Sequence, residues 1–482
     1  MFRIPKKCLI VAALVVAGYL PAQAQSEGGS NRWSLQKSID HALSNNLQLK
    51  LSALNTEVSR INASEARNEL LPSLNANASQ NFNFGRSIDP FENTFVNQTI
   101  RSNSFSLSSN VTLFSGLQLQ NSIRQARYNQ QASQADLQRA QDDMVLNLIT
   151  AYMQILFNDE LLTTSKLVLD NTREQLTRTQ KLYKAGSVPE TNVLEIEAQI
   201  ASDELAVLNA QNNKDIAELN LMQLLDIQDK KNFEIEKPNL QDPDQSVINF
   251  DAESVYTTAQ MTKPEIRAAD LRIKSAMKGV DVARGAYYPR LTLNGSISSG
   301  YSSSRLIPVT TNTFMQEVGQ VNVDGTNYPI TAPVTIPVYG TYAFSKQFSD
   351  NISQAISLNL TIPIFNKMQA RYAVSRSMLG LKEAELNSKI VRNELRKRIE
   401  QAYADAQASQ KKFIAAKKQL AAFEKTYRNA EIRYANGIMN NTDFSVSKNN
   451  FTKAQSDIIQ AKYDYIFKLK ILDYYQDKPL TF

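Results

Sequence analysis

Leu381 to Gly437 reads LKEAELNSKIVRNELRKRIEQAYADAQASQKKFIAAKKQLAAFEKTYRNAEIRYANG, with no proline and no glycine before its last residue. Steps of three and four from Leu381 pass through Ala384, Ser388, Val391, Leu395, Ile399, Ala402, Ala406, Ser409, Phe413, Ala416, Leu420, Phe423, Tyr427, Ala430 and Tyr434. A seam of that period with no charged member predicts one sustained helix in coiled-coil packing. Extended back to Asn366, the helix covers 366–437 and measures roughly 105 Å at about 1.5 Å per residue. Helices much longer than about 25 residues are unusual in compact domains. The Ala and Ser along the seam favour close helix approach.

Outward from this stretch, the chain repeats itself. A shift of 251 residues aligns Phe114 with Phe365, Ala151-Tyr152 with Ala402-Tyr403, Tyr183 with Tyr434, Gly186 with Gly437 and Thr191 with Thr442. A shift of 217 aligns Ala66-Arg67 with Ala283-Arg284, Pro72 with Pro289 and Leu74 with Leu291. The second half therefore carries about 34 extra residues, which fall between Ser302 and Asp350. A single duplication of a large unit differs from the shorter periods of solenoids. Each half reads helix, strand, loop, strand, very long helix, short turn, helix. The first repeat covers 25–225, with strands at about 73–84 and 104–114, a long helix over 117–186 and a return helix over 190–225. A linker over 226–262 follows. The second repeat covers 263–482, with strands at about 290–301 and 353–365, the long helix over 366–437 and a return helix over 442–476.

The four strand segments alternate with period two. Leu74, Ala76, Ala78, Phe82 and Phe84 alternate with Asn and Ser, and Ile356, Leu358, Leu360, Ile362 and Ile364 alternate with Ser357, Asn359 and Thr361. One apolar face and one polar but uncharged face, over about 9–11 residues, match a tilted membrane strand between lipid and a water-filled lumen. A small soluble sheet packed on the helices is the plainer alternative. Four strands cannot close a barrel, the smallest having about eight, and open edges are not tolerated in lipid. Several copies must then share one barrel, and counting alone leaves two or three open.

Composition narrows the function. The 482 residues hold 53 Lys+Arg, 47 Asp+Glu, one His and one Cys. His41 alone cannot build a multi-His metal centre or a His relay. No Walker-type phosphate loop, H-E-x-x-H or C-x-x-C occurs, so no enzyme, metal or cofactor is expected. Arg3, Lys6 and Lys7, the apolar run Cys8 to Leu20 and Ala22-Gln23-Ala24 read as a signal peptide over 1–24. Its removal takes away the single cysteine and three positive charges, and an exported chain excludes nucleic acid as a partner. Lys389 to Arg433 holds 12 Lys+Arg against 5 Asp+Glu, which reads first as a solvated helix face and second as a partner contact. Asp324-Gly325 between extended segments marks an external hairpin in the 302–350 insertion.

This pattern resembles the TolC-like outer membrane efflux proteins over essentially the whole mature chain. Trp33-Ser34-Leu35 through Ala42 and Asn45-Asn46 resemble the family's opening helix, and Ala66-Arg67 through Pro72-Ser73-Leu74 its passage from helix to strand. Val111-Thr112-Leu113-Phe114-Ser115-Gly116 and Ile362-Pro363-Ile364-Phe365-Asn366 resemble its passages from strand to long helix. Tyr183-Lys184-Ala185-Gly186 and Tyr434-Ala435-Asn436-Gly437 resemble its two hairpin tips. The resemblance implies a mainly α fold with a small β membrane part, a duplicated helix-hairpin unit, and a homotrimer. In that trimer a 12-stranded β-barrel in outer membrane lipid continues into a long periplasmic α-helical barrel. It also implies a passive exit duct, joined through a periplasmic adaptor to an inner membrane transporter of the RND or ABC type. A periplasmic coiled-coil adaptor or scaffold without a channel is the alternative, and would leave the two alternating hairpins unexplained.

Site residues follow from the same resemblance. Tyr434 falls on the family's latch tyrosine, Thr191 and Asn192 on its latch Thr-Asp pair, and Asp443 on one constriction aspartate. Met439 replaces the latch arginine and Val446 the second constriction acid, so the expected latch is a Tyr434 hydroxyl bond to Asn192 or Thr191. Asp443 would form a cation-favouring ring or simply cap the following helix. Gly186, Ser187 and Val188, with Gly437, Ile438 and Met439, fall where the family's adaptor docks, and both glycines also suit a helix C′ position.

Overall fold

A computed structural model describes residues 32–88, 93, 95–97, 99–228, 233–238 and 251–478. The leader reading over 1–24, and residues 229–232 and 239–250 of the linker, lie outside the described residues.

β1 (Arg32–Trp33) leads into α1 (Leu35–Asn45) and α2 (Leu47–Asn68). The opening helix is divided at Asn46, whose Oδ1 accepts from the Gln48 and Leu49 N–H groups (2.9 and 3.2 Å) and so caps α2. β2 (Ser73–Asn83), the short β3 (Arg86–Ile88) and β4 (Phe95–Asn97), and β5 (Ile100–Ser115) follow. Then come α3 (Gln118–Lys184) and α4 (Glu190–Leu225). β6 (Glu234–Ile235) returns to pair in parallel with β1.

The second half runs α5 (Ala252–Thr262), α6 (Pro264–Gly285), β7 (Arg290–Ser302), β8 (Leu306–Val323), β9 (Thr326–Thr341), α7 (Phe344–Asp350), β10 (Ser353–Thr361), α8 (Gln369–Ala435) and α9 (Asn441–Tyr475). Both long helices contain 67 residues, about 100 Å. Each starts after two residues in the left-handed region, Gly116 and Leu117 in one half and Lys367 and Met368 in the other. That pair of reversals moves the start of α8 from the expected 366 to 369. The strand expected over 353–365 stops at Thr361, because Pro363 has no N–H to give to a ladder.

One antiparallel sheet joins the halves in the order β10-β7-β5-β2. Its register puts Ala76, Leu107 and Ile297 in one row and Val111, Leu293 and Leu358 in another on the same face. The opposite face carries Asn77, Ser106 and Ser298, then Asn110, Asn294 and Ser357, with Asn110 Nδ2 donating to Asn294 Oδ1. No charged residue joins these four rows; Arg101 and Arg290 lie toward the strand ends. Among the described residues, β2 and β10 end the sheet with free edges.

On the helical side, α2 packs on α3, α3 on α6 and α6 on α8; further along, α4 packs on α3, α3 on α9 and α9 on α8. Leu148, Ile149, Tyr152, Ile155, Leu221 and Leu225 form the largest core, with Ile39, Ala42 and Leu49 laid against it. The buried Tyr152 hydroxyl donates toward the Trp33 and Glu236 carbonyls (3.0 and 2.5 Å), and fastens the β1–β6 pair to the middle of α3. The α8 seam from Leu381 to Tyr434 is buried or half-buried at every residue. Part of the basic run is paired rather than merely solvated: Arg392 binds Asp270 (2.7 Å), Arg396 binds Glu253 (2.9 Å) and Arg398 binds Glu265 (3.1 Å).

Candidate functional site

Each long helix ends in the same backbone device. The Gly186 N–H donates to Tyr183 O (2.8 Å) and the Ser187 N–H to Leu182 O (2.9 Å). The Gly437 N–H donates to Tyr434 O (3.1 Å) and the Ile438 N–H to Arg433 O (2.9 Å). These are Schellman caps, and both glycines sit at φ +73°, which L side chains disfavour. A Cβ at either glycine would meet nothing within 4 Å. Gly186, Ser187, Gly437 and Ile438 are exposed, and Val188 and Met439 half-buried. The two turns thus present short, accessible, geometrically matched segments.

The return helices start differently. α4 begins behind Pro189 with no side-chain cap. α9 begins at Asn440, whose Oδ1 accepts from the Asp443 N–H (2.7 Å) while its Nδ2 donates to Asp443 Oδ2 (2.9 Å). Asp443 therefore supports the start of α9 while remaining exposed. Its negative charge also suits the positive end of the helix dipole.

Tyr434 turns inward in its own hairpin. Its ring stacks on Phe444 at 4.6 Å between centroids, 16° from parallel. The hydroxyl bond to Asn192 or Thr191 is not made within the chain. Thr191 is exposed and Asn192 half-buried, in the first turn of α4. The link between the hairpins is made instead by Asn441, whose Nδ2 donates to Glu195 Oε2 (2.5 Å).

A second link was not anticipated. Lys448 of α9 reaches between α3 and α4, where its Nζ donates to Thr172 Oγ1 and lies 3.8 Å from Asp203 Oδ2. Thr172 Oγ1 donates to the same carboxylate, and Gln199 Nε2 donates to Asp203 Oδ1 (2.8 Å). Thr172, Asp203 and Lys448 are all buried. Burial lowers the affinity of Lys448 for its proton, and the Asp203 charge opposes that shift. The signal was present in the sequence: Asp203 interrupts the seven-residue spacing Ile196, Ala210, Ala217, and Lys448 lies one turn after Phe444 on the inner stripe of α9. Opposite charges at buried heptad positions of neighbouring helices are candidates for pairing.

Exposed apolar stripes mark the two flanks of the helical layer. Leu47, Leu51, Leu54, Val58 and Ile61 run along α2, and Tyr372, Leu379, Leu386 and Ile390 along α8, each at least half exposed. Leu194, Leu205, Leu208, Ile216 and Leu219 form a third stripe on α4. The stripes and the free edges of β2 and β10 lie at the ends of the packing order described above. Among the described residues, no group of His, Cys, Asp and Glu is arranged to hold a metal ion, and no helix is long and apolar enough to cross a membrane.

The profile of a family described as outer membrane efflux protein matches residues 38–226 and 255–472. A toxin and drug export protein A from Aggregatibacter actinomycetemcomitans is 21% identical over 90% of this chain and 83% of its own length. A pyoverdine export outer membrane protein from Pseudomonas aeruginosa is 24% identical over 58% of this chain and 61% of its own. An uncharacterized protein of Haemophilus influenzae is 25% identical, and the match spans 59% of its length. Among solved structures, CusC is similar with a TM-score of 0.74 at 16% identity, over 92% of both chains. The outer membrane protein VceC of Vibrio cholerae gives 0.72 at 16% identity, over 93% of this chain and 97% of that one.

Proposed function

Because the chain belongs to the outer membrane efflux protein family, whose members are outer membrane channels and not enzymes, we propose that it is the exit duct of a tripartite export system. The observation that carries this reading is the shared polarity of sheet and helical layer. Both have a free edge at each end among the described residues, and over its middle rows the sheet has one apolar and one uncharged polar face, with Arg101 and Arg290 only toward the strand ends. Copies joined head to tail leave no edge unpaired. β2 of one copy pairs with β10 of the next, and the apolar stripes of α2 and α4 meet the flank of α8 in the next copy. A heterologous contact of this kind closes into a ring when its rotation divides a full turn. Four strands from each of three copies give the 12-stranded barrel that the family resemblance implies, and the long helices continue it as a tunnel.

The two Schellman turns, with Gly186, Ser187 and Val188 and with Gly437, Ile438 and Met439, are the docking points for a periplasmic adaptor. The adaptor in turn joins an inner membrane transporter. Gating occurs at the same end. Asp443 projects from the start of α9, and three copies would give a ring of carboxylates that favours cations. Tyr434, stacked on Phe444, acts as a packing element of the gate, and its hydroxyl is free to meet Asn192 or Thr191 of a neighbouring copy. Asn441–Glu195 and Lys448–Asp203–Thr172 tie the second hairpin to the first, so the tip opens only if both hairpins move together or these ties break. The Asn, Ser and Thr lining is permissive toward cargo. The names of the relatives agree with small secreted compounds and toxins as cargo classes.

Reconstitution in planar bilayers tests the proposal. The purified protein is expected to form cation-selective channels, and Asp443→Asn to lower that selectivity while conductance persists. Failure to form channels would contradict the duct, whereas unchanged selectivity in the variant would contradict only the carboxylate ring.

A further inference from the structure

The segment between Ser302 and α7 is the largest part of the molecule that the duct does not use. β8 and β9 form a two-stranded ribbon of 18 and 16 residues, closed by Asp324-Gly325, both at positive φ as a tight hairpin turn requires. Almost every residue of it is exposed. Its root is nonetheless tied to the sheet. The fully buried Gln347 of α7 donates to the carbonyls of Ser302 and Tyr342 (2.9 and 2.8 Å) and accepts from the Ser302 N–H (3.0 Å), clamping both ends of the ribbon to β7.

The register divides the ribbon into unlike faces. Ile307, Phe314, Val321, Ile330 and Ile336 share one mainly apolar face, interrupted by Asn312 and Gln316. The other is the more polar, with Thr313 and Thr335 hydroxyl to hydroxyl at 2.9 Å and Asn322 and Asn327 joined at 2.7 Å, although Met315 and three prolines also lie on it. Pro329, Pro333 and Pro337 are paired with Gln320, Met315 and Thr311. A proline tolerated within a ribbon occupies a position whose N–H would point outward. Between Pro329 and Pro337, only Thr331 and Thr335 therefore offer outward donors on β9. That edge is poor for adding a strand, so a partner on the β9 side comes to the apolar face.

Resting on the ring proposed above, we infer that this face packs against the same face of the hairpins in neighbouring copies, forming a three-hairpin cover above the mouth of the duct. Reach favours that occupant. Twelve strands about 4.8 Å apart and tilted about 40° make a barrel roughly 24 Å across, so three equivalent roots lie roughly 20 Å from one another. A 16-residue ribbon is about 50 Å long, more than the distance between roots. Such tethering keeps neighbouring hairpins at an effective concentration in the millimolar range. Charge favours it as well: from Leu306 to Thr341 the only charged residues are Glu317 and Asp324, one on the polar face and one in the turn. Identical apolar faces can therefore meet without repulsion.

Single cysteines test the inference in intact cells, read by disulfide cross-linking with copper phenanthroline and by labelling with an impermeant maleimide. Ile336→Cys and Val321→Cys are expected to give cross-linked dimers on denaturing gels and to resist the maleimide. Thr313→Cys, on the polar face, should label and should not cross-link. Adding Phe314→Glu to Ile336→Cys should cut the cross-linked fraction at least tenfold while the heat-labile oligomer persists. Free labelling of Ile336→Cys in an intact oligomer would overturn the cover and leave the ring standing. Protection without cross-linking would also overturn it, because another molecule would then occupy the face. Absence of any oligomer would remove the ring itself.

Discussion

The two hairpin tips are built from the same turn but hold their return helices in different ways. Gly186 and Gly437 have the same φ and the same pair of backbone bonds, yet Pro189 gives α4 no side-chain cap while Asn440 and Asp443 brace α9. Position 183 repeats as 434, but Tyr183 is exposed whereas Tyr434 stacks on Phe444, for which the first hairpin has Val193 at the 251-residue shift. Duplication kept the turn, which any partner reading backbone shape would need twice. The second tip has the aromatic stack and the side-chain cap that the first lacks. The first hairpin supplies the acidic acceptors, Glu195 and Asp203, to which the second is tied.

The largest effect is expected where the hairpins are joined. Asp203→Ala leaves the Lys448 ammonium buried without its counter-charge and should destabilise the protein by about 3–5 kcal/mol, whereas Asp203→Leu with Lys448→Met should be close to neutral. Denaturant unfolding followed by helical circular dichroism measures both. Equal losses in the single and double variants would mean that the pair is not acting as one. Next come Gly186→Ala and Gly437→Ala, each about 1–2 kcal/mol from left-handed strain. The two should match, because neither Cβ meets a neighbour, and a clear inequality would show that the tips are less alike than their backbones. Asn440→Ala should cost about 1 kcal/mol through loss of the cap. Pro189→Ala, with no cap to lose, should cost clearly less, and hydrogen exchange in the first turns of α4 and α9 compares them. Smallest is Tyr434→Phe: the hydroxyl has no partner among the described residues, so stability should be unchanged. A rise in open-channel probability with this variant would assign the hydroxyl to a bond between copies.

Much of this architecture was legible because long periodic features leave strong traces. The α8 seam from Leu381 to Tyr434 was readable residue by residue, and the strand alternation at Leu74 and Ile356 marked the sheet faces. Element ends were less so. Pro363 and the reversal at Lys367–Met368 shifted two boundaries by a few residues, through local backbone effects that periodicity does not encode. At the tips, glycine spacing located the turns, but side-chain partners depend on the relative rotation of four helices. Tyr434 therefore pairs with Phe444 within the chain, and Lys448 with Asp203 across 245 positions of sequence. The hairpin turn at Asp324-Gly325 was visible, whereas the segregation of its faces emerged only with the two bulges in the β8–β9 register.

The native mass of the complex extracted in mild detergent from the outer membrane fraction tests the central claim most directly. The free edges of β2 and β10 and the apolar flanks of α2, α4 and α8 predict a heat-labile assembly of three chains. A stable monomer in that fraction would contradict the shared barrel, and with it the gate and the docking tips.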